Sequence, residues 1–409
     1  MLRQVADKII KDSINKVLPD TAVDLALKDL GPVKGDIYMV AIGKAAWKMA
    51  EAAQKNLGNR LKEGYVITKY EHVAGEIPNT KCFEAGHPVP DKNSFQATNF
   101  VIERMKNLSE DDKVIFLVSG GGSALFESPL IDEEEMGYVT EQMLASGADI
   151  REINTIRKRL SAVKGGKFAE ICKPASIFSI VLSDIIGDPL DSIASGPAYP
   201  DSTDSESARK IVEKYGLKLS DRALEVLEKE TPKELDNVET IVTGSVKNLC
   251  KAAAQSCKEM GYEPMILTEL LDCEAKEAGY FLGAIGRSHS HDGKKIAFIA
   301  GGETVVYLTG KGKGGRNQEI ALAAAEKIAG LDNVAVFSVG SDGTDGPTDA
   351  AGGYVDGQTK NKLSDKGISI YKTLQDNDAY QALEKVGSLI ITGPTGTNVN
   401  DFAVVLIDA

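Results

Sequence analysis

The sequence predicts an α/β fold with mostly parallel sheets and helices on both faces. Three observations carry the prediction. Short apolar runs alternate with amphipathic stretches along all 409 residues, the pattern of repeated strand–helix units. Several runs are apolar at nearly every position, among them IYMVAI (37–42), VIFLV (114–118), IFSIVL (177–182) and FAVVLI (402–407), as in strands buried on both faces. Glycine-rich segments follow many of these runs directly: AIGK (41–44), LVSGGGSA (117–124), FIAGGE (298–303), SVGSDGTDG (338–346) and ITGPTGTN (391–398).

In chain order, strands are expected at 37–42, 64–68, 114–118, 177–182, 239–243, 264–267, 296–300, 304–308, 334–339, 388–392 and 402–407. Amphipathic periodicity places helices at 3–17, 44–57, 94–107, 132–145, 151–160, 204–215, 220–230, 247–260, 273–288, 316–329 and 377–384. TVVYL follows IAFIA after a Gly-Gly-Glu link, which reads as a hairpin and makes the C-terminal sheet mixed. Residues 201–235 are charged, helical in pattern and poor in strand signals, so a domain boundary is expected near 235.

Composition narrows the function. There are 47 Lys and Arg against 60 Asp and Glu, a net charge of −13, which argues against a nucleic-acid partner. The longest uncharged apolar run, residues 114–126, has 13 residues and includes three consecutive glycines, too short to span a bilayer. The N-terminus alternates charged and apolar residues, unlike a secretory signal. Five cysteines without a CxxC pair suggest a reduced, cytoplasmic protein; Cys250 and Cys257 read as core residues on one helix face.

In open α/β sheets, ligands bind beyond the carboxyl ends of the strands. Bare backbone N–H groups and helix N-termini there favour anions. Lys44, at such a turn, adds a cation. GK never precedes Ser or Thr, so the chain has no Walker A loop; HRD, DFG, GxSxG and HExxH are absent as well. GKGKGG (310–315) matches a dinucleotide fingerprint, but its lysines and the late acid at Asp342 favour a flexible basic loop presenting Lys311, Lys313 and Arg316 to phosphate. The segment 151–167 holds six Lys or Arg against one acid. Lys164 and Lys167, flanking two glycines, are its candidate anion contacts. The histidines show no metal spacing. Asp184 and Asp188, and Asp342, Asp345 and Asp349, suit a hard cation such as Mg²⁺, with turn chemistry as the other reading.

Taken together, AIGKAAWKMA, EAGHPVPD, LVSGGGSAL, INTIRKRLSAVKGGKFA, VLSDIIGDPLDSIASGP, GGETVVYLTGKGKGGRNQEIAL, GSDGTDGPTDAAGG and GPTGTNVND resemble the class II, MOFRL-type glycerate 2-kinase family, in order from about residue 38 to 402. The resemblance implies two three-layer α/β/α domains. Residues 1–235 would be Rossmann-like with a mostly parallel sheet, residues 236–409 MOFRL-type with a mixed sheet, and the active site would lie in the cleft between them. It implies transfer of the γ-phosphoryl group of ATP to the 2-hydroxyl of D-glycerate, with Mg²⁺ or another divalent cation. The roles it suggests are catalysis by Lys44, Asp184 and Arg316, and substrate or phosphate binding by Ser119, Gly120, Gly121, Gly122, Ser123 and Lys164. Nucleotide would meet Lys311, Lys313 and Asn317, and metal would meet Asp184, Asp188 and Asp342. ATP and D-glycerate are the expected partners, with a homodimer left open. Two alternatives stand beside this reading: an NAD-dependent hydroxypyruvate reductase and a non-enzymatic sensor of small acids.

Overall fold

The computed structural model describes residues 2–409. They form two units, one of residues Ala22–Leu182 and Asp188–Thr243, the other of residues 2–21, Ser183–Gly187 and Gly244–Ala409. The first holds six strands: β1 (Ile37–Ile42), β2 (Leu61–Lys69), β3 (Thr80–Ala85), β4 (Lys113–Val118), β5 (Ser176–Leu182) and β6 (Val238–Gly244). Their order across the sheet is β3-β2-β1-β4-β5-β6. Pairing is parallel from β3 through β5. Backbone bonds from Ile177 to Asn237 and from Ser183 to Gly244 run β6 in the same sense. Met39, Ala41, Ile115, Leu117, Phe178 and Ile180 bury one face under the helix Ala46–Leu57. On the other, Phe116 packs against Phe126 and Phe168.

The chain passes from β1 outward to β2 and β3, then returns to lay β4 on β1's other side. The connections after β1 and β4 therefore leave in opposite directions, and a crevice opens at the carboxyl ends of these two strands.

The second unit holds β7 (Glu263–Leu271), β8 (Ile296–Gly302), β9 (Val334–Gly340), β10 (Gly352–Asp356), β11 (Leu389–Ile390) and β12 (Asp401–Ile407), ordered β11-β10-β9-β12-β8-β7. The sheet is mixed, as expected, but the reason differs. Only β7–β8 is parallel; β12 lies antiparallel between β8 and β9, and β10 antiparallel between β9 and β11. The expected hairpin strand at 304–308 does not form. Val305 makes one isolated bridge to Glu274, and Tyr307 and Leu308 are 64% and 82% exposed, so an apolar run here marks surface rather than sheet. Two strands escape the sequence pattern: β3 carries charged, half-buried residues, and β10 begins with two glycines.

Alternate residues explain the continuous apolar runs. Val336, Ala403 and Val405 point into a core under the helices Ala275–His289 and Arg316–Ile328. Phe337, Phe402 and Val404 point into another, closed by the helices Leu2–Lys16 and Val246–Glu259. Cys250 and Cys257 belong to this second core, where burial pushes both thiols up to about 12. Among the described residues, no helix is long and apolar enough to cross a membrane.

Candidate active site

The crevice at β1 and β4 is built by two short loops that continue the parallel pairing. Ser119 donates its N–H to the Ile42 carbonyl (3.0 Å), Lys44 its N–H to the Gly120 carbonyl (2.9 Å), and Ala45 its N–H to Ser119 Oγ (3.1 Å). Gly43, at φ +111°, has no room for a side chain: a Cβ there would stand 2.3 Å from Ser119 Oγ. The helix begins at Ala46, so Lys44 sits in the turn just before it, exposed. Among the described residues, no acceptor takes the N–H of Gly120 or Gly121. Lys44 and the 119–122 loop, singled out separately in the sequence, thus form one cradle of a cation and free N–H donors.

His87 completes this cradle, although the sequence gives its side chain no metal or triad spacing. Its ring covers Gly121, where a Cβ would meet the imidazole at 2.9 Å and Lys44 Cγ at 3.2 Å. Partial burial lowers its pKa below the ordinary 6.5, and Lys44 and Lys69 push it the same way. The ring is therefore neutral at pH 7. Only its place in the EAGHPVPD block hinted at a role.

Ser123 continues the cradle. Its hydroxyl is 3.0 Å from that of Ser195, which donates to Asn154 Oδ1 at 3.1 Å. Arg157 Nη2 donates to the Ser123 carbonyl at 3.2 Å. Asn154 and Arg157 are three apart on the helix Ile150–Leu160 and share a face. Lys164 has a different environment from the one its sequence context suggests. It is fully buried, 2.7 Å from Glu127 and bonded to the Phe126 carbonyl, and burial pulls its ammonium down to about 8. Lys167 likewise bonds the carbonyls of Lys158, Arg159 and Ser161.

The second unit gathers a different group. Arg316 opens its helix gripped by carboxylates: Nε and Nη2 donate to Asp401, and Nη1 donates to Glu303 at 2.8 Å. Asn400 Nδ2 bonds both Glu303 and the Asp184 carbonyl, which brings the Asp184 backbone to this group. Gly340 lies between the carboxylates of Asp342 and Asp401, each about 3.3–3.4 Å from where its Cβ would be. Asn317 is buried, its N–H and Nδ2 on Asp345 Oδ1, while the Gln318 N–H meets Asp345 Oδ2. Burial pushes Asp345 up to about 7 and Asp401 up to about 6, against the pull of Arg316 on both.

The 310–315 loop is not a dinucleotide fingerprint, because no strand leads directly into it; β8 ends at Gly302. Nor is its backbone flexible in the sense its glycines suggest. The N–H groups of Thr309 and Gly310 bond Asn377 Oδ1, those of Lys311 and Lys313 bond Asp376 and Asp378, and Tyr380 returns a bond to the Lys313 carbonyl. Lys311 remains exposed, and Lys313 lies 4.3 Å from the Tyr380 ring centroid.

Among the described residues, no group of three or more His, Cys, Asp and Glu is arranged to hold a metal ion. Asp188 nonetheless carries a metal-type feature. Its Oδ1 is buried without a hydrogen-bond partner, on a backbone at φ +50°.

Comparison with known proteins converges on one family. Residues 5–228 match the family described as "Domain of unknown function (DUF4147)", and residues 296–401 match the MOFRL family. A D-glycerate 2-kinase of Thermotoga maritima is 50% identical, over 99% of this chain and 98% of that protein. The chain belongs to the MOFRL-type glycerate 2-kinase family. The crystal structure of the Thermotoga maritima glycerate kinase superposes with a TM-score of 0.95, covering 99% of each chain. A glycerate 2-kinase of Pyrococcus horikoshii is 40% identical over 99% of this chain and 97% of its own length. A relative in Agrobacterium vitis, 37% identical over 99% of this chain and 94% of its own length, carries a hydroxypyruvate reductase name.

Proposed function

We propose that the chain is a D-glycerate 2-kinase, transferring the γ-phosphoryl group of ATP to the 2-hydroxyl of D-glycerate to give 2-phosphoglycerate and ADP. The observation that carries this reading is the cradle at β1 and β4, where the Lys44 charge, the free N–H groups of Gly120 and Gly121 and a neutral His87 share one crevice. Phosphoryl transfer asks mainly for positioning and for neutralisation of the transferring group. Lys44 and the two N–H donors supply positive charge that does not have to reorganise as the reaction proceeds. His87 takes the proton of the attacking hydroxyl, the role its neutral ring suits.

A divalent cation fits Asp188, whose buried oxygen is otherwise unsatisfied. Mg²⁺ uses one or two carboxylates together with substrate phosphates, so a site with few protein ligands agrees with its habits. When bound, the ion would neutralise charge on the phosphates, and Asp188 would hold it. Arg316 is proposed for phosphate as well, its guanidinium oriented by Asp401 and Glu303.

The reductase alternative loses its sequence support, since the GKGKGG loop lacks the strand that a dinucleotide fingerprint requires. The test is ADP release measured with the pure protein, ATP and a panel of small hydroxy acids, beside NADH oxidation with hydroxypyruvate. Release of ADP that depends on D-glycerate is expected. NADH oxidation without ADP release would establish the reductase instead, and binding without turnover would leave a sensor.

A further inference from the structure

Among the described residues, the basic segment 151–167 reaches the 119–123 loop through Arg157, and the segment's other buried cations are all paired. Lys158 is sealed between Asp191 and Asp201, at 3.3 and 3.2 Å. Arg159 is fully buried on Glu230 and the carbonyls of Leu227, Lys229 and Thr203. Lys164 belongs to Glu127, and Lys167 to three carbonyls. Arg157 differs. Among the described residues, its guanidinium makes one hydrogen bond, to the Ser123 carbonyl, and its Nε is buried with no partner at all. A guanidinium has five N–H donors in a planar fork, and a buried donor left unpaired is costly. The fork matches a planar oxyanion held through two bonds. Its helix face also holds the loop, since Asn154 fixes Ser195 and Ser195 fixes Ser123.

We propose that Arg157 binds the carboxylate of the acceptor and so sets the preference for a hydroxy acid over a neutral alcohol, an assignment that rests on the kinase reading above. The carboxylate is favoured over a nucleotide phosphate because Lys44 and the Gly120 and Gly121 N–H groups already serve phosphate at the neighbouring turn, whereas Arg157 is the partly buried cation without a counter-charge beside Ser123.

The test compares D-glycerate with D-glyceramide, its neutral isostere, in the ADP-release assay. In Arg157→Gln, the KM for D-glycerate should rise about tenfold or more, and the preference for acid over amide in kcat/KM should collapse towards unity, because a bidentate charged contact is lost. The KM for ATP should stay within about twofold of the parent value, as only acceptor binding is removed. A thermal melt checks folding. If the Gln variant does not fold, Arg157→Lys keeps the charge and must still raise the D-glycerate KM, because it loses the planar fork. An unchanged acid-to-amide preference overturns the assignment, as does a rise in the ATP KM with that preference intact, which would give Arg157 to phosphate. A parent protein that releases no ADP with D-glycerate overturns the kinase reading itself and this assignment with it; normal parent turnover with an unaffected variant overturns the assignment alone.

Discussion

His87 shows how far tertiary placement changes what a residue can do. In sequence it is one of four scattered histidines; in the fold its ring lies over Gly121 beside Lys44. Burial, then the positive charges of Lys44 and Lys69, lowers its pKa below 6.5. A base works in its deprotonated form, so a lowered pKa extends activity towards acid. The acidic limb of kcat/KM against pH, which reports the free enzyme, should therefore have its midpoint below 6.5. His87→Gln should lower kcat by about 10²-fold or more, the usual contribution of a positioned base, and should abolish that limb. A variant with near-parent kcat and the same limb would pass the role to a carboxylate. Burial is the other property that the sequence does not report at single residues. Lys164 and Asn317 carry polar groups in glycine-rich contexts typical of ligand contacts, yet both are enclosed by partners, Glu127 for one and Asp345 for the other. The place of Lys44 in the turn after β1 is legible because a short strand, a glycine and a cation in immediate succession leave few other arrangements.

Elements were legible where their residues face one environment throughout. Strands β1, β4, β5, β9 and β12 are buried on both faces and show as unbroken apolar runs. The edge strand β3 and the glycine-led β10 lack that signature, and the exposed 304–308 run imitates it. The 310–315 loop departs from its sequence pattern for a related reason: glycines mark conformational freedom in the unfolded chain, but the acceptors on Asp376, Asn377 and Asp378 that remove it come from 60 or more residues away. The start of the helix Arg316–Ile328 offers an element-scale prediction. No side chain of its own N-cap serves it; Asp345 accepts the N–H groups of Asn317 and Gln318 from outside the helix. Burial raises Asp345 from 3.8 to about 7, so the folded state holds a proton more tightly than the unfolded one. Its contribution to stability thus grows as pH falls from about 7 towards 4 and is lost as pH rises through 7. Asp345→Asn removes that dependence and leaves one N–H without its oxygen, costing about 0.5–2 kcal/mol. The melting-temperature gap between parent and variant should widen from pH 8 to pH 5. A gap that narrows on acidification would mean that Asp345 is held as a carboxylate across this range.

At the scale of the whole chain, sequence order and spatial grouping part company at the N-terminus. The family match begins at residue 5, yet nothing in the pattern of the first 35 residues says which sheet they serve. The helix Leu2–Lys16 nevertheless packs against the second unit, its Ala6, Ile9, Ile10 and Ile14 in one core with Leu249, Cys250 and Ala253 of the helix Val246–Glu259 and with Phe337 and Phe402 of the sheet. Ser256 bonds Asp12, and Thr397 bonds the Val17 carbonyl. A three-layer unit needs both faces of its sheet covered, and here one face is closed by a segment more than 200 residues away in sequence. Amphipathic periodicity predicts the helix but cannot name its partner, because the apolar stripe is the same whichever sheet it covers. Ile9 is completely buried, so Ile9→Ala should cost about 2–5 kcal/mol through lost contacts and an unfilled cavity. At about 2–4 °C per kcal/mol for a unit of this size, the melting temperature of the second unit should fall by at least several degrees. Backbone hydrogen exchange in β8 and β12 measures that unit directly, while the single tryptophan, Trp47, reports the other. Exchange in β8 and β12 should accelerate in the variant. If those amides keep their parent protection, the N-terminal helix is not part of the second unit's core.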